Sequence, residues 1–376
     1  MKKILALSWR DINAPLAGGA EVHTHKLLSG LNPSEFEITH FSPEFENCKQ
    51  TEIIDGVTYI RKGNIFSVIW YAFIYYRKHK DELDYVIDQC NTHRFFTWLY
   101  VPRKKRIFYI HQTTREIWKY SMRWPMYKAG QLLETWMLKR NRKDKVITVS
   151  QSTKEELIQL GYIPQNIYIV YNGISFAPWT AEQMFEKESV PTFIYAGRYA
   201  PYKGIDIAIE AFAALKKKYP DARLWIIGKK DEEYVLKRLK PICDANNITW
   251  CDDGDNSGDV VSWGYVSEAQ KLELFSRFRA LLFPSIREGW GIPITEAGVV
   301  GTPSIVFNSP GIRDAVDNGN AGYLCLHNDA AGLLEQMEHS LEDDAAYLEM
   351  REKAYAFSSH FNWEKCNDYL TGFWDE

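Results

Sequence analysis

A regular alternation of short apolar runs with helix-length amphipathic segments is what most restricts the fold of this 376-residue chain. Runs at residues 3–9, 36–41, 57–61, 85–90, 106–112, 145–150 and 167–172 read as strands. Between them, residues 20–31, 66–79, 126–140 and 152–160 place apolar side chains at helical spacing. Strands that are apolar at successive positions are buried on both faces, which happens where helices cover both sides of a parallel sheet. The pattern pauses at the polar, Glu-rich stretch 180–189, the expected linker, and then restarts. Its second series has strands at 192–197, 223–228, 260–264, 280–284 and 304–308, with helices at 206–219, 232–246, 268–277 and 293–300. This predicts an α/β chain of two consecutive doubly wound domains, residues 1–180 and 181–360, followed by an amphipathic helix within 361–376. In such sheets a ligand lies beyond the carboxyl ends of the strands, so the informative residues come just after each run.

Composition removes other classes. The longest apolar run, residues 65–76, is 12 residues long and includes Ser67, short of the roughly 20 needed to cross a bilayer. The N-terminal apolar stretch is too short for a signal peptide, so a cytoplasmic protein is expected. Six scattered cysteines without Cys-x-x-Cys spacing predict free thiols rather than disulfides or a zinc cluster. The net charge of −4 conceals an asymmetry: residues 1–165 carry +8 and residues 166–376 carry −12. Basic clusters at 77–80, 103–106 and 139–145 lie beside the aromatic stretches 70–76 and 95–100. They suit an anionic membrane surface or a phosphorylated lipid, or are simply solvated helix faces. A nucleic-acid partner is not expected in a chain that is acidic overall and has no binding motif.

The densest group of polar candidates is Glu288-Gly-Trp-Gly-Ile-Pro-Ile-Thr-Glu296, after the 280–284 strand and opening a helix. Pro293 fits the first helical position and Gly301 the stop. Backbone N–H groups from Gly291 through Ile292 and Ile294 to Thr295 then suit a phosphate, with Glu288 and Glu296 flanking it to grip hydroxyls. The same two glutamates also read as a loop charge and a helix-dipole partner. Gly197-Arg198 and Lys203, after the 192–197 strand, place two cations where a diphosphate would be neutralised, or form two surface charges. Gly18 and Gly19, between the first strand and helix, lack the Gly-x-Gly-x-x-Gly spacing of a nicotinamide site but let backbone approach a ligand. His111 ends a strand at the ligand edge, as a ligand contact or a structural histidine. Ser150 and Ser152 read as helix caps. Asp252, Asp253, Asp255 and Asp259 imitate a calcium loop, but Gly264 stands where a bidentate Glu is required, so no metal is expected. Neither a nucleophile elbow nor a Walker phosphate loop is present.

Taken together, the two domains, the two glutamates with seven residues between them, Arg198 with Lys203, and the paired glycines resemble the family 4 retaining glycosyltransferases of the GT-B fold. The likeness covers nearly the whole chain and is most specific over residues 280–322. It implies two Rossmann-like domains facing a central cleft, with the last helix returning to the first domain. It also implies that Glu296 binds the nucleotide ribose and Glu288 the donor sugar. Arg198 and Lys203 would hold the diphosphate with backbone groups of Gly19 and residues 292–295; His111 would approach the sugar, and Val266 would contact the base. The implied reaction is transfer from a nucleoside diphosphate sugar, a UDP-sugar foremost, to a glycan or lipid-linked acceptor in cell-envelope assembly. No metal or cofactor is implied. A sugar-nucleotide epimerase on the same scaffold and a catalytically silent partner subunit are the alternatives. One departure is Gly228-Lys229-Lys230, where the family commonly has Gly-x-Gly.

Overall fold

The computed structural model describes residues 1–15, 17–91, 94–252, 257–371 and 373–374, the side chains of 366, 367 and 371 excepted. The chain divides into unit 1, residues 1–173 with 362–376, and unit 2, residues 174–361. Each is doubly wound, as the alternation predicts.

Unit 1 holds eight strands: β1 (Lys2–Leu7), β2 (Phe36–Ser42), β3 (Thr51–Ile54), β4 (Val57–Arg61), β5 (Tyr85–Cys90), β6 (Arg106–Ile110), β7 (Lys145–Thr148) and β8 (Ile167–Ile169). They lie in the order β3-β4-β2-β1-β5-β6-β7-β8. All pairs are parallel except β3 with β4. The strand β3 is absent from the sequence reading. Its signal is Asp55-Gly56, both at positive φ (46° and 81°), the two-residue loop that matches the twist of an antiparallel hairpin. The longer helices are α1 (Gly19–Ser29), α2 (Val68–His79), α3 (Met126–Lys139), α4 (Gln151–Gln159) and, from the C-terminal segment, a last helix over Trp363–Thr371. Leu5, Leu7, Phe41 and Val86 pack with Val68, Ala72 and Tyr76 of α2; Phe108, Ile110 and Val146 pack with Leu138 and Leu157.

Unit 2 has seven parallel strands: β9 (Thr192–Ala196), β10 (Arg223–Ile227), β11 (Trp250–Asp252), β12 (Val260–Gly264), β13 (Ala280–Phe283), β14 (Ser304–Val306) and β15 (Tyr323–Leu324). Their order is β11-β12-β10-β9-β13-β14-β15. Its core joins Phe193, Tyr195, Leu224, Leu282 and Ile305 to α5 (Ile205–Leu215). After α6 (Glu268–Arg277) and α7 (Ile292–Gly298) come α8 (Ala330–Glu342), whose Leu333 and Met337 join the same core, and α9 (Asp344–Ser358); we label Trp363–Thr371 α10. The helix expected at 232–246 is broken by a π-helical turn over Val235–Leu239. The expected linker 180–189 is instead tied into unit 2: Glu188 pairs with Arg277 at 2.7 Å and the Lys187 ammonium donates to Thr302 Oγ1 at 2.5 Å. Polar residues satisfied by fixed partners do not behave as a solvated tether.

In both sheets the winding direction reverses once, between β1 and β5 and between β9 and β13. Ligands of doubly wound sheets bind outside the carboxyl ends at such reversals.

Candidate functional site

In unit 2 the reversal point gathers Arg198, Lys203 and Glu288, which follow the adjacent strands β9 and β13. Gly204 makes this possible. At φ 73° it turns the chain from the 3₁₀ turn Pro201–Lys203 into α5, and a Cβ there would run into the Pro284 carbonyl. The Lys203 ammonium donates to Glu288 Oε1 in a largely buried ion pair. This direct bond between two candidate residues is not legible in the sequence, where they lie 85 positions apart. It fixes the ammonium and leaves Glu288 Oε2 for another donor. Arg198 is exposed, and its guanidinium donates to the Tyr202 hydroxyl at 3.3 Å. Gly197 donates its N–H to the Ile227 carbonyl at 3.0 Å. Gly228, at φ 141°, lies so close to Gly197 that a Cβ would meet its carbonyl.

Beyond β13, α7 is a seven-residue helix with Gly291 as N-cap at φ 107°. It opens at Ile292, so Pro293 is its second residue rather than the first. It ends at Gly298 with Val299 as C-cap, ahead of Gly301. Pro293 has no N–H, and the N–H of Ile294 donates to the Gly291 carbonyl at 2.9 Å. Of the four amides of the motif, that of Ile294 is therefore spent inside the turn, which leaves those of Gly291, Ile292 and Thr295 for an anion. The Thr295 hydroxyl donates to the Ile292 carbonyl at 3.0 Å. Glu296 meets a partner the sequence reading missed, Lys271 of α6, at 2.9 Å; Lys271 also reaches Glu268 at 3.0 Å. Burial pushes the Glu296 carboxyl up, with Lys271 pulling against it. Burial also works against the Lys271 charge, but Glu296 and Glu268 outweigh it and hold its pKa above the usual value. Val266 lies between β12 and α6 in neither strand nor helix, just before Ser267, which caps α6 by accepting from the Gln270 N–H.

The two described members of the acidic cluster form ordinary ion pairs. Asp252 pairs with Lys230 at 3.0 Å and Asp259 with Lys216 at 2.6 Å; Asp253 and Asp255 lie outside the described residues. Five described cysteines, 48, 90, 243, 251 and 325, are free thiols, and the Cys366 side chain lies outside the described residues.

In unit 1, α1 starts just after β1 with Gly18 as N-cap in extended backbone. The Gly18 N–H is occupied by the Glu21 carboxylate at 2.8 Å. Among the described residues Gly19 keeps an amide without a partner. Ser150 caps α4 by accepting from the Thr153 N–H at 3.3 Å, and Ser152 is buried. His111, immediately after β6, belongs to a chain of buried polar groups that sequence spacing does not reveal. The His23 Nε2 lies 3.0 Å from the Val170 carbonyl, its Nδ1 bonds the Tyr109 hydroxyl, and that hydroxyl lies 3.1 Å from His111 Nε2.

A carbonyl only accepts, so His23 carries its proton on Nε2. Burial lowers the His23 pKa to about 4, which keeps the ring neutral with Nδ1 bare. Tyr109 must then donate to His23 and accept from His111 Nε2–H. Burial, with His23 nearby, also holds His111 well below its usual pKa. His111 is thus a neutral imidazole whose Nδ1 is a hydrogen-bond acceptor.

Two family models together cover most of the chain: residues 17–177 match Glycosyltransferase Family 4 and residues 180–357 match Glycosyl transferases group 1. A glycogen synthase from Mycobacterium tuberculosis is 28% identical over 62% of this chain and 53% of its own length. The capsular polysaccharide biosynthesis glycosyltransferase CapM from Staphylococcus aureus is 25% identical over 61% of this chain and 62% of its own. The chain therefore spans between half and two thirds of these relatives. Among solved structures, Anabaena Alr3699/HepE in complex with UDP-glucose superposes with a TM-score of 0.71 at 16% identity, covering 100% of both chains.

Proposed function

Because the chain belongs to the family 4 glycosyltransferases of the GT-B fold, we propose that it moves a sugar from a nucleoside diphosphate sugar, a UDP-sugar, to a glycan or lipid-linked acceptor in cell-envelope polysaccharide or glycolipid assembly. The observation that carries this reading is the cluster at the β9/β13 reversal: two cations, Arg198 and Lys203, with Lys203 locked onto Glu288. In this reading Arg198 and Lys203 neutralise the diphosphate. Charge that develops on a departing phosphate is stabilised best by donors fixed before the reaction, each worth about 3 kcal/mol in a site shielded from water. Glu288 Oε2 accepts from a donor-sugar hydroxyl, and Glu296 accepts from the ribose. Gly19 and the amides of Ile292 and Thr295 assist at the phosphates, Val266 meets the base, and His111 Nδ1 accepts from a sugar hydroxyl.

The anomeric configuration is retained and no metal or cofactor takes part. The acceptor oxygen attacks the anomeric carbon from the leaving-group face. As the bond to phosphate oxygen breaks and the new glycosidic bond forms, the acceptor proton passes to the departing phosphate. The similarity to CapM, a capsular polysaccharide biosynthesis glycosyltransferase, and to HepE in complex with UDP-glucose supports the polysaccharide and UDP parts of the reading. The protein acts on the cytoplasmic side, where nucleotide sugars are held.

A thermal-unfolding panel of nucleoside diphosphates and their sugars tests this, with Arg198→Ala and Glu296→Ala alongside. At 100 times its dissociation constant a ligand stabilises by about 2.7 kcal/mol. Selective stabilisation by uridine compounds, lost in both variants, is the expected result. Stabilisation by no nucleotide in folded protein overturns the donor site and favours a silent partner.

A further inference from the structure

Helices α2, α3 and α4 each connect a strand to a parallel strand further along the same direction of the unit 1 sheet, α2 passing from β4 over β2 and β1 to β5, α3 from β6 to β7 and α4 from β7 to β8. Right-handed crossovers then put all three on one face. The outward sides of α2 and α3 are not polar. Phe66, just ahead of α2, is 85% exposed, and Trp70 and Ile74 continue the same stripe four residues apart. On α3 the corresponding stripe is Leu132 and Trp136, 73% and 48% exposed. Both stripes turn basic toward the C-terminal end of the helix, into Arg77 and Lys78 on one and Arg140 on the other. The two are joined by aromatic contacts through the segment between β5 and β6: Phe73 meets Tyr100 at 5.2 Å and Trp136 meets Trp98 at 6.4 Å between ring centroids.

At the basic end lies a pocket of about 480 Å³ lined by Arg103, Arg106, Lys139, Arg140, Arg142 and Lys143. It sits where β6 and β7 begin, the sheet edge opposite His111. Arg106 is neutralised by Asp144 at 2.7 Å. Among the described residues the other five cations pair with no carboxylate. Arg140 links pocket and stripe, its guanidinium 4.7 Å from the centre of the Trp136 ring.

We propose that this basic pocket receives the phosphate of an anionic membrane lipid while the Phe66–Trp70–Ile74 and Leu132–Trp136 stripes enter the bilayer surface. The occupant follows from the chemistry. Five uncompensated cations call for anions, and apolar aromatic side chains ending in cations match the depth profile of a headgroup region, with apolar matter below and phosphate above. The inference extends the lipid-linked part of the proposed function but stands on separate observations.

The test is co-sedimentation of the full chain with phosphatidylcholine vesicles, with and without phosphatidylglycerol, at low and high salt. The variants are Arg140→Glu/Arg142→Glu and Trp70→Ser/Trp136→Ser, each checked for an unchanged unfolding midpoint and unchanged uridine-nucleotide binding. Inorganic phosphate and RNA are titrated in parallel. Expected is association with phosphatidylglycerol vesicles only, weakened about tenfold or more in each double variant and by high salt. The proposal is overturned by absence of vesicle association, by association undiminished in the pocket variant, or by binding of inorganic phosphate or RNA without vesicles. Nucleotide binding in the same samples reports separately on the donor site, so failure of one reading is distinguishable from failure of the other.

Discussion

At the scale of single residues, the polar groups that matter are governed by partners from other elements. His23 is five residues past Gly18, yet its state is set by the Val170 carbonyl and the Tyr109 hydroxyl. Tyr109→Phe removes the link that assigns the His111 proton to Nε2. Nitrogen-15 NMR of the His111 ring should report the Nε2–H tautomer in the parent protein and a mixture in Tyr109→Phe. An Nδ1–H ring in the parent would refute the assignment. A second consequence concerns acid. Burial lowers the His23 pKa to about 4; burial, with His25 and Arg61 nearby, lowers that of His40 to about 3. The unfolded chain takes up these protons from about pH 6.5 downward and the folded chain only at much lower pH. Stability is therefore complete above that range and falls as pH falls, by about 2 kcal/mol per histidine between about pH 7 and pH 5. Urea unfolding at the two pH values measures the loss, which should be shallower in His23→Gln.

Elements place these residues through a few backbone requirements. Gly204 is the strictest: a left-handed residue whose missing Cβ lets the turn after β9 pass the Pro284 carbonyl. Gly204→Ala should cost about 2 kcal/mol or more, from left-handed strain plus displacement of the turn. Because the turn carries Lys203, uridine-nucleotide binding should weaken beyond what the stability loss explains. Calorimetric titration of folded Gly204→Ala at low temperature checks this, and unchanged affinity would separate the turn from the site. The Glu288–Glu296 motif was readable because it is local, a strand end followed by a short helix. The Lys271–Glu296 pair was not, since α6 meets α7 only once the sheet is assembled.

Over the whole molecule, the two sheets are built alike but the chain does not simply end after the second. Residues 362–376 belong to unit 1. There Trp374 is 3% exposed, between the rings of Phe36 and Tyr85 at 5.5 and 5.1 Å, while its carbonyl accepts from the Lys2 ammonium at 2.8 Å and the Tyr85 hydroxyl at 3.2 Å. Trp363 packs against His23, ring centroids 5.4 Å apart. Trp374→Ala should destabilise unit 1 by about 3–5 kcal/mol. Denaturant unfolding followed by hydrogen exchange should place the loss in β1, β2 and β5, with the strands of unit 2 unaffected.

Alternation of apolar runs with amphipathic segments determined the two doubly wound domains, because a parallel sheet covered on both faces leaves that periodicity in the sequence. Spacing likewise placed Glu288, Glu296, Arg198, Lys203 and His111 after strand ends. The edge strands β3, β11 and β15 and the helices α8 and α9 do not stand out in the sequence: β3, β11 and β15 are short and mixed in polarity, whereas the equally short β8 and β14 sit in the longer apolar runs 167–172 and 304–308, and α8 and α9 follow the last alternation of strand and helix. Which charge meets which was decided only by tertiary structure. The pairs Lys203–Glu288 and Lys271–Glu296 and the His23–Tyr109–His111 chain depend on strand order and helix packing. Coulombic and hydrogen-bond energies fall away within a few ångströms, and distance along the chain does not determine distance in space.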